Sequence, residues 1–289
     1  RQRARRLGLV VTSANEALAA AQLGFDFLLA KGSDAGGLVG QETSYVLLQS
    51  VLAVTDVDTY AWGGISRYTA LACVVAGAAG VVLDWQLALL RESPVEGALK
   101  RRLEALDGSE TTTLRLSTVQ QWQALDLPGM TAVSALSQAL ISTGGAGLRD
   151  EIIRLHAHQS PKHRLVSLGQ DAVFASAWAD EFPSVAKALA ALGDYVDEQS
   201  PLAAESAFCE GSPLAQSHNT RYPIVQGPMT RVSDVPAFCD KVEQGGALPF
   251  LAVALLKGTT LTTMLQTTKE LMGERSWGVG LLAFNEPEL

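Results

Sequence analysis

The stretch "FDFLLAKGSDAGGLVG", residues 25–40, runs from an apolar segment into a glycine-rich loop. Phe27 to Ala30 is continuously apolar, which predicts a short strand buried on both faces. Lys31 follows, and then Gly32, Gly36, Gly37 and Gly40 fall within nine residues. Upstream, "LGLVVTS" (7–13) reads as another buried strand, and Ser13 can cap the Ala-rich helix "ANEALAAAQLG", which stops at Gly24. Downstream, "ETSYVLLQSVLAV" reads as a helix and "TYAWGGI" as a strand. "SRYTALACVVAGAA" then reads as a helix and "GVVLDWQLAL" as a strand. Apolar strands alternating with helices predict a parallel sheet of β/α units. In a barrel of such units the chemistry sits in the loops after the strands' C-terminal ends, where Gly36, Gly37, Gly63 and Gly64 fall.

The rhythm stops near residue 94. Residues 95–205 read as helices broken by Gly and Pro, including "VEGALKRRLEAL", "STVQQWQAL" and "LRDEIIRLHAH", and are followed by the polar linker "EGSPLAQSHNT". These residues are expected to form a helical cap. After residue 211 the β/α rhythm resumes with "YPIVQGPM", "ALPFLAVAL" and "SWGVGLLAF", separated by helices. The expected fold is α/β, made of TIM-barrel-like parallel β/α units in an incomplete or permuted barrel with a helical cap subdomain.

Composition bounds the function. The 289 residues are 47% hydrophobic and 18% charged, enough for a sizeable core, with a formal net charge of −8. That charge speaks against a general affinity for nucleic acid or anionic membrane. The basic start "RQRARR" reads as the solvated end of a helix. Cys73, Cys209 and Cys239 lie far apart without metal-ligand spacing, so no metal site is expected, and the odd count suits a reducing, cytoplasmic setting. No apolar run is long enough to span a membrane. The first residue is Arg, which leads to the expectation that the chain is a piece of something longer.

Glycine loops after buried strands let backbone N–H groups approach an anion, and a following helix N-terminus adds favourable partial charge. "WGGIS" suits a phosphate-bearing ligand by that logic, and it equally suits a tight strand–helix turn. Lys31 can neutralise a phosphate or a ring anion, or stand as a surface lysine. Asp34 reads as a turn former or cap. His156, His158, His163 and His218 read as surface residues, and no GxSxG, HExxH or Walker loop is present. A catalytic residue is therefore not assigned.

"FDFLLAKGSDAGGLVG", "AWGGIS" and "AGAAGVVLDWQLALLRES" together resemble the second half of the nitronate monooxygenase (2-nitropropane dioxygenase-like) family. "YPIVQGPMTRVSD", "GGALPFLAVALL" and "WGVGLLAF" resemble its first half. The resemblance covers residues 7–93 and 221–289, and the middle only loosely at "SLGQDAVFA". It implies an eight-stranded TIM barrel that binds FMN, in a family that includes flavin-dependent enoyl-acyl carrier protein reductases. The glycine loop and the helix after it look most like copies embedded in type I polyketide synthases. This implies strands five to eight of one module in residues 1–94, the cap and linker in 95–210, and the first strands of a second module in 211–289.

Carried over residue by residue, the resemblance places Gly227, Pro228 and Met229 beside the flavin ring and Gly63 and Gly64 at its phosphate. Gly169 and Gln170 match a Gly-Gln near the flavin, and Lys31, Gly36 and Gly37 line the same rim. Two positions depart from the pattern. The catalytic histidine that usually follows the paired glycines is Leu38, which cannot move a proton. The usual Gly-Thr after strand eight is Asp84-Trp85, a carboxylate expected to repel a phosphate unless it points away. Trp62 and Trp85 read as core or rim packing. The implied activity is an FMN-dependent oxidoreductase acting on an alkyl nitronate or an acyl thioester, with acyl carrier protein or other synthase domains as partners. The alternatives are a degenerate, non-catalytic barrel retained as a structural or docking module, and a barrel that holds another phosphorylated ligand. The two complementary halves are expected to pair with each other, "YPIVQGPM" lying beside "GVVLDWQLAL".

Overall fold

The computed structural model describes residues 6–145, 147–206 and 208–282, so most of "RQRARR" and the end of "SWGVGLLAF" lie outside the described residues. The chain divides into two compact units, Arg1–Ser200 and Pro201–Leu289.

The first unit opens with β1 (Gly8–Val11), α1 (Ala14–Gln22), β2 (Phe27–Lys31), β3 (Gly37–Val39), α2 (Ser44–Leu52), β4 (Thr59–Trp62), α3 (Arg67–Val75) and β5 (Gly80–Val82). Strands β1, β2, β4 and β5 form one sheet in that order, every pairing parallel. The four-stranded parallel reading of residues 7–93 is thus borne out. Helix α1 is capped as expected: the Ser13 hydroxyl accepts from the Glu16 N–H. Helix α3 begins with a capping box between Ser66 and Thr69, which satisfies orphan N–H groups at both ends of the turn. Val11, Ala17, Leu28, Ala30, Leu47 and Val51 form one dry cluster beneath the first strands. Each buried leucine there contributes roughly 1.5–3 kcal/mol.

The helical expectation for residues 95–205 fails at one place. After α4 (Gly97–Leu103) come β6 (Thr111–Arg115) and β7 (Gln121–Leu125), an antiparallel hairpin. β3 joins it by pairing with β7, so the glycine loop is the third strand of a small sheet. The reason lies in "TTTLR", a β-branched run that favours extended backbone. The turn is set by Ser117, whose hydroxyl accepts from the N–H groups of Val119 and Gln120. The longer elements in the rest of the region are helices: α5 (Ala132–Thr143), α6 (Leu148–His156), α7 (Phe174–Glu181) and α8 (Val185–Ser206). The division between units falls inside α8, at Pro201.

The second unit contains α9 (Pro213–Ser217), β8 (Val225–Gln226), α10 (Pro236–Gln244), β9 (Leu248–Ala252), α11 (Gly258–Met272) and β10 (Gly278–Gly280). α9 replaces part of the expected linker. The strands form a parallel sheet in the order β10-β9-β8 over a core of Cys239, Leu251, Val253, Leu261 and Met272. β8 pairs with β9 and β5 with β4, and no ladder among the described residues joins 222–229 to 79–88. The barrel is incomplete and the expected permuted closure is not formed. β5 itself is short because the Asp84 carboxylate takes the Trp85 N–H and turns the chain into a 3-10 turn at Trp85–Leu87.

Candidate active site

The C-terminal ends of β2, β4 and β5 converge on a polar rim. Lys31 ends β2, and its Nζ lies 4.5 Å from the centroid of the Trp62 ring at the end of β4. Trp62 Nε1 donates to Asp84 Oδ2 at 2.8 Å, just beyond β5. One indole therefore stacks under the lysine and fixes the carboxylate that attracts it. Burial lowers the Lys31 pKa, while Asp84 and Asp171 pull it back up.

Asp171 lies behind this pair and is buried. The buried Gln86 carboxamide positions it: Gln86 Nε2 donates to Asp171 Oδ2 at 3.2 Å, and Gln86 Oε1 accepts from the Asp84 N–H at 2.9 Å. Desolvation first, then the charges of Asp84 and Asp34, push the Asp171 pKa up to about 8, against donation from the Gly64 amide and Gln86. Burial thus favours the neutral carboxyl at Asp171. Asp171 Oδ1 has no hydrogen-bond partner in its buried position.

Asp34 sits where the glycine loop meets α2. Its Oδ2 accepts from the Ser44 N–H and hydroxyl, both at 2.7 Å. This confirms Asp34 as a cap, with a carboxylate at a helix N-terminus. Gly32, Gly36 and Gly169 have a packing role. A Cβ at Gly32 would overlap Ser44, one at Gly36 the Ser167 carbonyl, and one at Gly169 the Asp34 carbonyl. Gly63 and Gly64 have φ of 109° and 63°, a left-handed turn that side chains resist. A hollow of about 240 Å³ begins at Ser66 and Arg67, just after this turn, and is lined by Phe174, Trp178, Leu192 and Tyr195. The Arg67 guanidinium there is paired with Glu181.

The structure brings Lys31, Gly36, Gly37, Gly63, Gly64 and Gly169 to one neighbourhood, with Gln170 exposed at its edge. Gly227, Pro228 and Met229 belong to the second unit, where Pro228 packs against Gly280 and Met229 is half exposed. Leu38 lies in β3 opposite Trp122, 39% exposed. Sequence reasoning missed Asp171, Ser44 and Gln86, and it left His156 on the surface. His156 is exposed, as read, and its Nε2 lies 2.7 Å from Ser167 Oγ. The only early signal for Asp171 was its place one residue after Gly169-Gln170.

Parallel β/α units whose strand ends carry glycine turns, a lysine and carboxylates define part of a TIM-type barrel. The comparisons agree. Residues 6–124 match the model of the nitronate monooxygenase family. A curated dehydrogenase of Rhodococcus jostii (strain RHA1) is similar at 33% identity over 106 residues. Its name is (3aS,4S,5R,7aS)-5-hydroxy-7a-methyl-1-oxo-octahydro-1H-indene-4-carboxyl-CoA dehydrogenase, and the match covers 36% of this chain and 30% of that protein. Among solved structures, FabK from Thermotoga maritima aligns with a TM-score of 0.58 at 18% identity, over 69% of this chain and 63% of that one. The enoyl reductase domain of MlnA from the macrolactin cluster of Bacillus amyloliquefaciens aligns with a TM-score of 0.50 at 13% identity, over 68% and 67%. These structural likenesses concern the fold. The chain spans less than a third of the curated relative it matches.

The rim can be tested against the FMN that the resemblance implies. The Gly63–Gly64 turn leads into the nine-residue α3 and a hollow begins just beyond it, which leaves space for a phosphate, while the Gly64 amide donates to Asp171 and the capping box takes the Ser66 and Thr69 N–H groups. The expected repulsion from Asp84 is answered by its orientation, because both its oxygens are engaged by Trp62 Nε1 and the Trp85 N–H. Burial favours the neutral form of Asp171, and its Oδ1 has no hydrogen-bond partner. The residues present fit the group.

Proposed function

We propose that this chain carries parts of a flavin-dependent oxidoreductase barrel of the nitronate monooxygenase and enoyl reductase kind, with an acyl thioester as substrate. The observation that carries the reading is the Lys31–Trp62–Asp84 cluster at the ends of adjacent parallel strands, beside the Gly63–Gly64 turn. The family match over residues 6–124 supports it. The similarity to a carboxyl-CoA dehydrogenase favours a thioester over an alkyl nitronate. The resemblance of the glycine loop to copies inside polyketide synthases supports a synthase setting, with an acyl carrier protein as the partner that presents the thioester.

Bound flavin supplies the redox chemistry. The residues of this chain would bind and orient it. Gly63, Gly64 and the start of α3 would face the phosphate. Lys31, held by the Trp62 face and drawn by Asp84, would offset negative charge on the ring. Gly36, Gly37 and Gly169 keep the loop backbones close.

One observation favours the second reading, a degenerate barrel without catalysis: Leu38 stands where the family's proton-transferring histidine is expected. The experiment that separates them is titration of FMN with the chain, followed by flavin fluorescence. Quenching that saturates, and that Lys31→Met weakens about tenfold or more, supports the oxidoreductase reading. Fluorescence unchanged by the chain supports the degenerate one.

A further inference from the structure

His156 ends α6, and its two ring nitrogens have different partners. Nδ1 lies 2.8 Å from the Ile152 carbonyl oxygen, which can only accept. In neutral imidazole Nδ1 therefore carries the proton and Nε2 carries the lone pair. Nε2 lies 2.7 Å from Ser167 Oγ, so the serine hydroxyl donates to it. This is the arrangement of a nucleophile, its base and an orienting acceptor.

The surroundings hold the pair in place. The Trp122 ring meets the His156 ring edge-on at 5.9 Å. Trp85 Nε1 donates to the Ser167 carbonyl at 2.8 Å, and the same carbonyl lies against Gly36. The serine thus stands on a fixed backbone at the rim. Gly37 leaves room beside it: a Cβ there would have both Ser167 Oγ and Lys31 Nζ as neighbours at 3.7 Å. A hydroxyl with a base behind it and an amine across a small gap is an acyl-transfer constellation, with Lys31 placed to face negative charge on a carbonyl oxygen.

We propose that Ser167 is a nucleophile activated by His156, and that the rim accepts activated acyl esters or thioesters. Ser167 Oγ attacks the acyl carbonyl carbon while its proton passes to His156 Nε2. The bond to the alkoxide or thiolate breaks, and that leaving group takes the proton from His156. Water then attacks the acyl-serine, giving its proton to Nε2, and Ser167 recovers its hydrogen as the carboxylic acid leaves. No oxidant or reductant is needed, and the step does not rest on flavin binding.

The full chain is treated with a fluorophosphonate probe and the modified peptide is located by mass spectrometry. Labelling of Ser167 is expected, absent in Ser167→Ala and slowed about a hundredfold in His156→Gln. Glutamine preserves a hydrogen-bond acceptor for Ser167 and cannot take its proton, so a merely structural contact would leave the labelling rate unchanged. A Ser167→Cys variant gives a second readout: its alkylation by iodoacetamide is expected to slow on adding His156→Gln. An unlabelled Ser167 in the folded wild-type chain, or equal rates with and without His156, overturns the proposal.

Discussion

Asp171 is the residue on which the rim's electrostatics turn. Its pKa is raised to about 8 by burial and by the Asp84 and Asp34 charges, while in the unfolded chain an aspartate titrates at about 3.9. A raised carboxyl pKa means that the folded state holds a proton which the unfolded state has released. Stability is therefore greatest below the unfolded value and falls as pH rises towards 8. Asp171→Asn should remove that slope, and at pH 8 it should be the more stable form by on the order of a few kcal/mol. Urea unfolding at pH 5 and pH 8 checks this, and equal slopes in both proteins would refute it. Little of this was legible in the sequence. Lys31 and the glycines were found because they follow an apolar run, but Asp171 comes to the rim from far along the chain. His156 is exposed, as the sequence indicated, but helical spacing says nothing about a partner eleven residues away.

Among the elements, the parallel strands were legible because burial on both faces leaves a continuous apolar signature. The β6–β7 hairpin was not, because "QWQAL" suits a helix face as well as a strand, and its pairing with the glycine loop joins segments far apart in sequence. The glycines separate two roles. Gly169→Ala would drive a Cβ into the Asp34 carbonyl and the Ala35 backbone, and should cost about 1–3 kcal/mol or more and disturb the rim. Gly193, inside α8, has open space around it, so Gly193→Ala should stabilise by about 0.5–1 kcal/mol. Thermal melts of the two variants should shift in opposite directions, and shifts of the same sign would show that the loop packing is wrong.

For the whole molecule, the cores are separate: the clusters around Leu28, Leu136 and Trp178 lie in the first unit, and that around Leu251 lies in the second. Calorimetry of the chain is expected to resolve two unfolding transitions, and a single one with equal calorimetric and van't Hoff enthalpies would contradict independent units. The incomplete barrel was legible from the order of its motifs. The absence of a ladder between the halves was not, because complementary strand patterns do not say which edges meet. Among the described residues no helix is long and apolar enough to cross a membrane. The ends of β2, β4 and β5 are proposed as a flavin site. Equilibrium dialysis of the chain against FMN measures it directly. Saturable binding of one FMN per chain is expected, weakened by Lys31→Met and by Gly64→Asp, while chain without bound FMN at concentrations that saturate flavin oxidoreductases would contradict a flavin site there.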